Sequence, residues 1–92
     1  MQEENTIKIT DAKIKKLTNM GRLIGEVSIT LNKCLVIHGL KIIQLDNKRI
    51  ISFPSKKLND GFVDIVHPIT HEFRNYVEEY IFNMYDKEEV SE

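Results

Sequence analysis

The sequence predicts an α+β domain: an antiparallel β-sheet with a C-terminal amphipathic helix packed on it. Three observations carry that expectation. Between residues 8 and 53, apolar and polar residues alternate at strand period, and short turn-forming clusters separate the runs. From Thr70 onward the apolar residues recur at helical spacing instead. The chain has 92 residues, 41% of them hydrophobic, which is enough for one core and too little for two.

The elements follow in order. Lys8–Leu17 places Lys13 and Lys15 on one strand face, Ala12 and Ile14 on the other, and Leu17 breaks the parity at a bulge or strand end. Asn19-Met20-Gly21 reads as a turn. Arg22–Leu31 is the cleanest strand: Leu23, Gly25, Val27, Ile29 and Leu31 alternate with Ile24, Glu26, Ser28 and Thr30. Asn32-Lys33 is short enough to close a hairpin.

Cys34–Leu45 is apolar on both parities, so either it is buried on both faces or one face meets a second subunit. Gly39 in its middle predicts a bulge or bend. Asp46-Asn47-Lys48 turns the chain into a further strand, Arg49–Phe53, which Pro54 ends or edges because it lacks an N–H. Asn59-Asp60-Gly61 tolerates positive φ and reverses the chain. It leaves Lys56 and Lys57 on a rigid exposed loop ahead of a short strand, Phe62–Val66.

Thr70 can cap a helix by accepting a bond from an otherwise unpaired N–H of the first turn. Phe73, Tyr76, Val77, Tyr80, Ile81 and Met84 then form one stripe, with Arg74, Asn75, Glu78, Glu79 and Asn83 opposite. Each stripe residue contributes about 1.5–3 kcal/mol if fully buried, so the helix docks on the sheet and its aromatics serve the core. The expected organisation is a flexible N-terminus over 1–7, one domain over 8–86 and a frayed acidic tail over 87–92.

Chemistry-bearing constellations are sparse. His67 and His71 are four apart, but Pro68 and the cap at Thr70 separate them, which does not suit a zinc pair on one helix. His38 lies mid-strand, so no metal site is expected. Cys34 cannot form an internal disulfide and, inside an apolar run, reads as a buried structural thiol. Ser28, Ser52, Ser55 and Ser91 have no nucleophile motif around them. Asp60 and Asp64 could form an acid/base pair, but a turn and a strand start explain them more simply. The expectation is a non-enzyme without cofactor.

The net charge of −1 hides a split. Residues 1–57 hold 11 Lys/Arg against 5 Asp/Glu, and residues 58–92 hold 2 against 9. Such polarisation suits either solvated faces kept for solubility or a polyanion-binding face. Lysines outnumber arginines, which favours contact with a phosphate backbone over reading of bases. Lys56 and Lys57 are the first candidates for phosphate contact, followed by Arg49, Arg74, Lys13, Lys15, Lys16 and Lys41. No stretch approaches the ~20 apolar residues of a membrane span. The acidic, polar start at Met1-Gln2-Glu3-Glu4-Asn5 is unlike a signal peptide, so a cytoplasmic location without membrane insertion is expected. A core this small is marginal and would gain from a homodimer.

Pro54-Ser55-Lys56-Lys57, the Asp-Gly turn and Asp64-Ile65-Val66-His67-Pro68-Ile69 resemble the signature of the stage V sporulation protein G (SpoVG) family. Ile9–Leu17, Ser28–Leu31 and Val36–Ile43 resemble that family's first three strands, in the family's order. The resemblance spans roughly Ile9 to Tyr85. This chain has Gly39 where the family usually has an acidic or amide residue, and Val63 where it usually has Arg. The resemblance implies DNA or RNA binding and a regulatory role linked to septation, sporulation or global gene expression in bacteria. The alternative is a protein-interaction module of the division machinery, docking through Cys34–Leu45 and the acidic helix without touching nucleic acid.

Overall fold

A computed structural model describes residues 7–87. Four strands form one antiparallel sheet in sequence order: β1 (Ile9–Lys16), β2 (Leu23–Leu31), β3 (Leu35–Gln44) and β4 (Arg49–Ser52). A hairpin of β5 (Ser55–Leu58) and β6 (Gly61–Asp64) makes a second, two-stranded sheet, and α1 (His71–Lys87) closes the chain. The α+β class expected from the sequence is therefore the one observed. The N-terminal segment 1–6 and the tail from Glu88 lie outside the described residues.

Turn chemistry sets the sheet's register. Asn19 and Gly21 take φ of 60° and 66° between β1 and β2. Asn32 and Lys33 both take positive φ, 49° and 58°, between β2 and β3, the backbone that matches strand twist in a tight hairpin. A lysine there is strained, and local bonds hold it. Lys33 donates its N–H to Thr10 Oγ1 at 2.9 Å, and Lys8 donates its N–H to Asn32 Oδ1 at 2.8 Å. Cys34 belongs to this turn and is exposed, which corrects the expectation of a buried thiol. The apolar run begins one residue later than its composition suggests.

Gly39 is the expected bulge. Its φ is +91°, and the β2–β3 register slips between Val27 and Ile29. The extra residue resets the strand's alternation. Leu35 and Ile37 before the bulge, and Leu40 and Ile42 after it, all face the helix side. This resolves the run that reads as apolar on both parities: it is one apolar face with a phase change, not two buried faces.

The core lies between the sheet and α1. Val27, Ile29, Leu40, Ile42, Ile51 and Phe53 of the sheet side meet Val77 and Ile81 of the helix, the last two with no exposed surface. Thr70 caps α1 as expected, accepting the Phe73 N–H at 3.1 Å. Tyr76 lies on the expected stripe, and its hydroxyl accepts the Ile9 N–H at 2.9 Å, fixing the start of β1. Gly25 allows close approach at the other end: a Cβ there would sit 3.1 Å from Ile42 Cδ1 and 3.5 Å from Tyr85 Cε2.

Two further corrections concern the segment after Pro54. The expected loop is a β-hairpin arm, anchored where Ile65 donates its N–H to the Pro54 carbonyl at 2.8 Å. Its second strand ends at Asp64, so Ile65 and Val66 belong to the following bend. All eight strand residues of the arm are exposed. The four residues of β4 pair only with Lys41–Gln44, so β4 leaves the first half of β3 uncovered on that side.

Candidate functional site

Strand parity divides the candidate cations into three groups. Lys13 and Lys15 on β1 and Lys41 on β3 share the sheet face opposite α1. Cross-strand register puts Lys15 and Lys41 on either side of Glu26, and Lys13 opposite Ser28. With His38 they line a shallow concavity of about 430 Å³. Ser28 Oγ and His38 Nδ1 are hydrogen-bonded at 2.9 Å beside the Gly39 bulge. Among the described residues, the side chains of Lys13, Lys15 and Lys41 have no ion-pair, hydrogen-bond or ring partner. Asp11 shares their parity on β1, so three ammonium groups against two carboxylates leave this face a positive excess of one.

The second group is engaged on the helix side. The Lys16 ammonium sits 4.4 Å from the Tyr85 ring centroid. The Arg49 guanidinium donates two bonds to the Asp86 carboxylate, at 2.8 and 3.1 Å, and stacks 4.6 Å from the Phe82 ring. Those bonds raise the Arg49 guanidinium above its ordinary pKa and hold the Asp86 carboxyl below the usual carboxylate range. Arg74 lies 5.2 Å from the Phe53 ring. Arg22, near the sheet's end, pairs with Asp46 at 3.3 Å. Cation–π contacts and a forked ion pair hold these groups in place.

The third group is on the arm. Lys56 stands opposite Val63 and Lys57 opposite Phe62, so the two lysines point to opposite faces of the hairpin rather than forming one doublet. Asp64 stands opposite Ser55 across the same hairpin, and Asp60 sits in its turn. The structure therefore gathers Lys13, Lys15 and Lys41, and separates them from Lys16, Arg49, Arg74, Lys56 and Lys57.

Glu26, Ser28 and His38 complete the open face and were not expected to join it. Glu26 and Ser28 were legible by parity on β2, whereas the bulge concealed the phase of His38. Among the described residues, no three His, Cys, Asp or Glu side chains form a metal-ligand cluster, and no helix is long and apolar enough to cross a membrane.

A second concavity lies on the helix side, between α1's first turns and the uncovered half of β3. It holds about 690 Å³ and is almost wholly apolar, with Leu35, Ile37, Phe53, Ile69, Phe73 and Tyr76 among its walls.

The SpoVG family model matches residues 7–87. The chain belongs to the SpoVG family. A SpoVG relative from Caldicellulosiruptor saccharolyticus, named "Putative septation protein SpoVG", is 41% identical over 81 residues, covering 87% of this chain and 92% of its own. Proteins of the same name from Macrococcus caseolyticus and Staphylococcus aureus are 39% and 37% identical, over 94% and 88% of this chain and 76% and 82% of theirs. The SpoVG name denotes septation and not an enzymatic reaction, and the match extends from just ahead of β1 to the end of α1.

Proposed function

We propose that this chain is a bacterial nucleic-acid-binding regulator acting as a cytoplasmic homodimer, in processes connected with septation. One observation supports the binding role above the others: Lys13, Lys15 and Lys41 stand together on a sheet face that no described helix covers, with Glu26 across the strands and Asp11 along β1 as the acidic neighbours among the described residues. Ammonium groups on flexible stems suit phosphate oxygens and carry little base information. The role is therefore backbone contact with modest sequence preference. The Ser28–His38 pair at the edge of the concavity adds polar groups within reach of the same ligand.

The test is a salt series of binding to duplex and single-stranded oligonucleotides, with wild type and a Lys13→Gln/Lys15→Gln/Lys41→Gln variant. If all three contact phosphates, the log–log slope on duplex becomes shallower by about 2.7 per protomer, from roughly 0.9 per contact. An unchanged slope and affinity would remove this face from the mechanism. Absence of wild-type binding at low salt, with salt-insensitive capture of a division protein, would replace the reading with that of a protein-interaction module.

A further inference from the structure

The arm presents a physical problem that the single chain does not solve. A two-stranded hairpin is at best marginally stable alone in water. This one exposes every strand residue, and Phe62 is 72% exposed, Val63 49% and Leu58 46%. Leu58 and Val63 lie on one face of the arm and Phe62 on the other, so contact on one face alone would leave apolar surface in water. The chain's apolar groove offers walls for such surface, and Leu35 and Ile69 there are themselves 57% and 88% exposed. Beside it, the first half of β3 has no strand partner on that side among the described residues, and folded proteins ordinarily pair or protect such an edge.

We propose that a second copy of this chain fills the groove, the two copies exchanging arms reciprocally across a two-fold axis. The inference rests on the homodimer reading above and assigns its interface. Three features favour a second copy over another protein. An arm that lacks stability alone needs a partner present whenever the chain is folded, and a chain's own copy meets that condition.

The arm and the groove belong to one sequence, as a two-fold interface requires. Their charges can be matched, with Lys56, Lys57, Asp60 and Asp64 on the arm and Lys8 and Glu72 at the groove. The size also fits. Ten residues of arm and the twelve groove residues that are not buried fall within the roughly 20–30 a side of a stable interface. Phe62 is the aromatic anchor of this interface. Lys56 and Lys57 then lie along its rim, their stems against apolar surface and their ammonium groups in water.

Light scattering on the full chain tests the assignment. Wild type should run at twice 10.8 kDa. Phe62→Asp, in the arm, and Leu35→Asp, in the groove, should each raise the dimer dissociation constant by at least about 100-fold. Both side chains are exposed in the single chain, so circular dichroism should be unchanged, and Phe62→Ser and Leu35→Ser serve if either aspartate variant fails to fold. An equimolar mixture of the two variants retains one intact arm–groove pair, so it should associate at least about tenfold more tightly than either alone. Variants that stay dimeric, or a mixture that gains nothing, overturn the arm exchange and leave the homodimer reading standing. A wild type that runs as a monomer overturns both.

Discussion

On the helix-covered face of the four-stranded sheet, Lys16 and Arg49 lie against Tyr85 and Phe82, and Arg49 grips Asp86. On the opposite face, Lys13 and Lys15 of β1 and Lys41 of β3 have no ring partner among the described residues, and the Glu26 carboxylate stands between two of them. Residues of one charge type thus serve two ends. Where α1 supplies aromatics, a cation becomes part of the packing; where no described element covers the sheet, it remains available to a ligand. Lys15 and Lys16 show the difference most directly, since adjacent positions on a strand project to opposite faces.

The comparison can be tested in order of expected effect. Ile81 is fully buried under the sheet, so Ile81→Ala should cost about 2–5 kcal/mol in chemical denaturation. The Lys13/Lys15/Lys41 substitutions, on exposed side chains, should stay within roughly 0.5 kcal/mol each. Similar losses from the two sets would erase the distinction between faces.

Arg49→Ala comes next. It removes an ion pair and a ring stack, for about 1 kcal/mol of stability, and should leave the salt slope of oligonucleotide binding unchanged. A shallower slope would move Arg49 into the binding group.

The same ion pair predicts an acid limb. Asp86 has a lowered pKa in the folded chain because Arg49 bonds its ionised form. The stability it contributes is present above the unfolded carboxyl value of about 3.9 and is lost as pH falls through the lower folded value. Asp86→Asn should flatten that part of a denaturation-against-pH curve.

The smallest effect is expected of Glu26→Gln. It removes the carboxylate between Lys15 and Lys41 and should tighten oligonucleotide binding about two- to fivefold at low salt. Weaker binding would mean that Glu26 orients the lysines instead of opposing them.

Much of the fold was legible because local rules and tertiary packing agree. The alternation in β2, the cap at Thr70 and the helix stripe each appear where the residues put them. Gly39 was legible as a bulge, but its consequence was not, because one inserted residue inverts the face of everything before it. The site was harder to read for a different reason. Parity paired Lys13 with Lys15, yet nothing local to Arg49 announces Asp86, 37 positions away, or the rings of Phe82 and Tyr85. Strand β5 escaped notice because Ser55-Lys56-Lys57-Leu58 lacks an apolar face of its own and pairs only with β6. Cys34 misled because composition cannot distinguish the first residue of a strand from the last residue of the turn before it.

That cysteine gives experimenters a convenience. A lone exposed thiol adjoins Leu35 at the wall of the apolar cleft, so a maleimide dye attached there needs no engineered position and marks each molecule once. Its emission, sensitive to the polarity of its surroundings, would register whatever enters that cleft in real time, at concentrations far below those that light scattering demands.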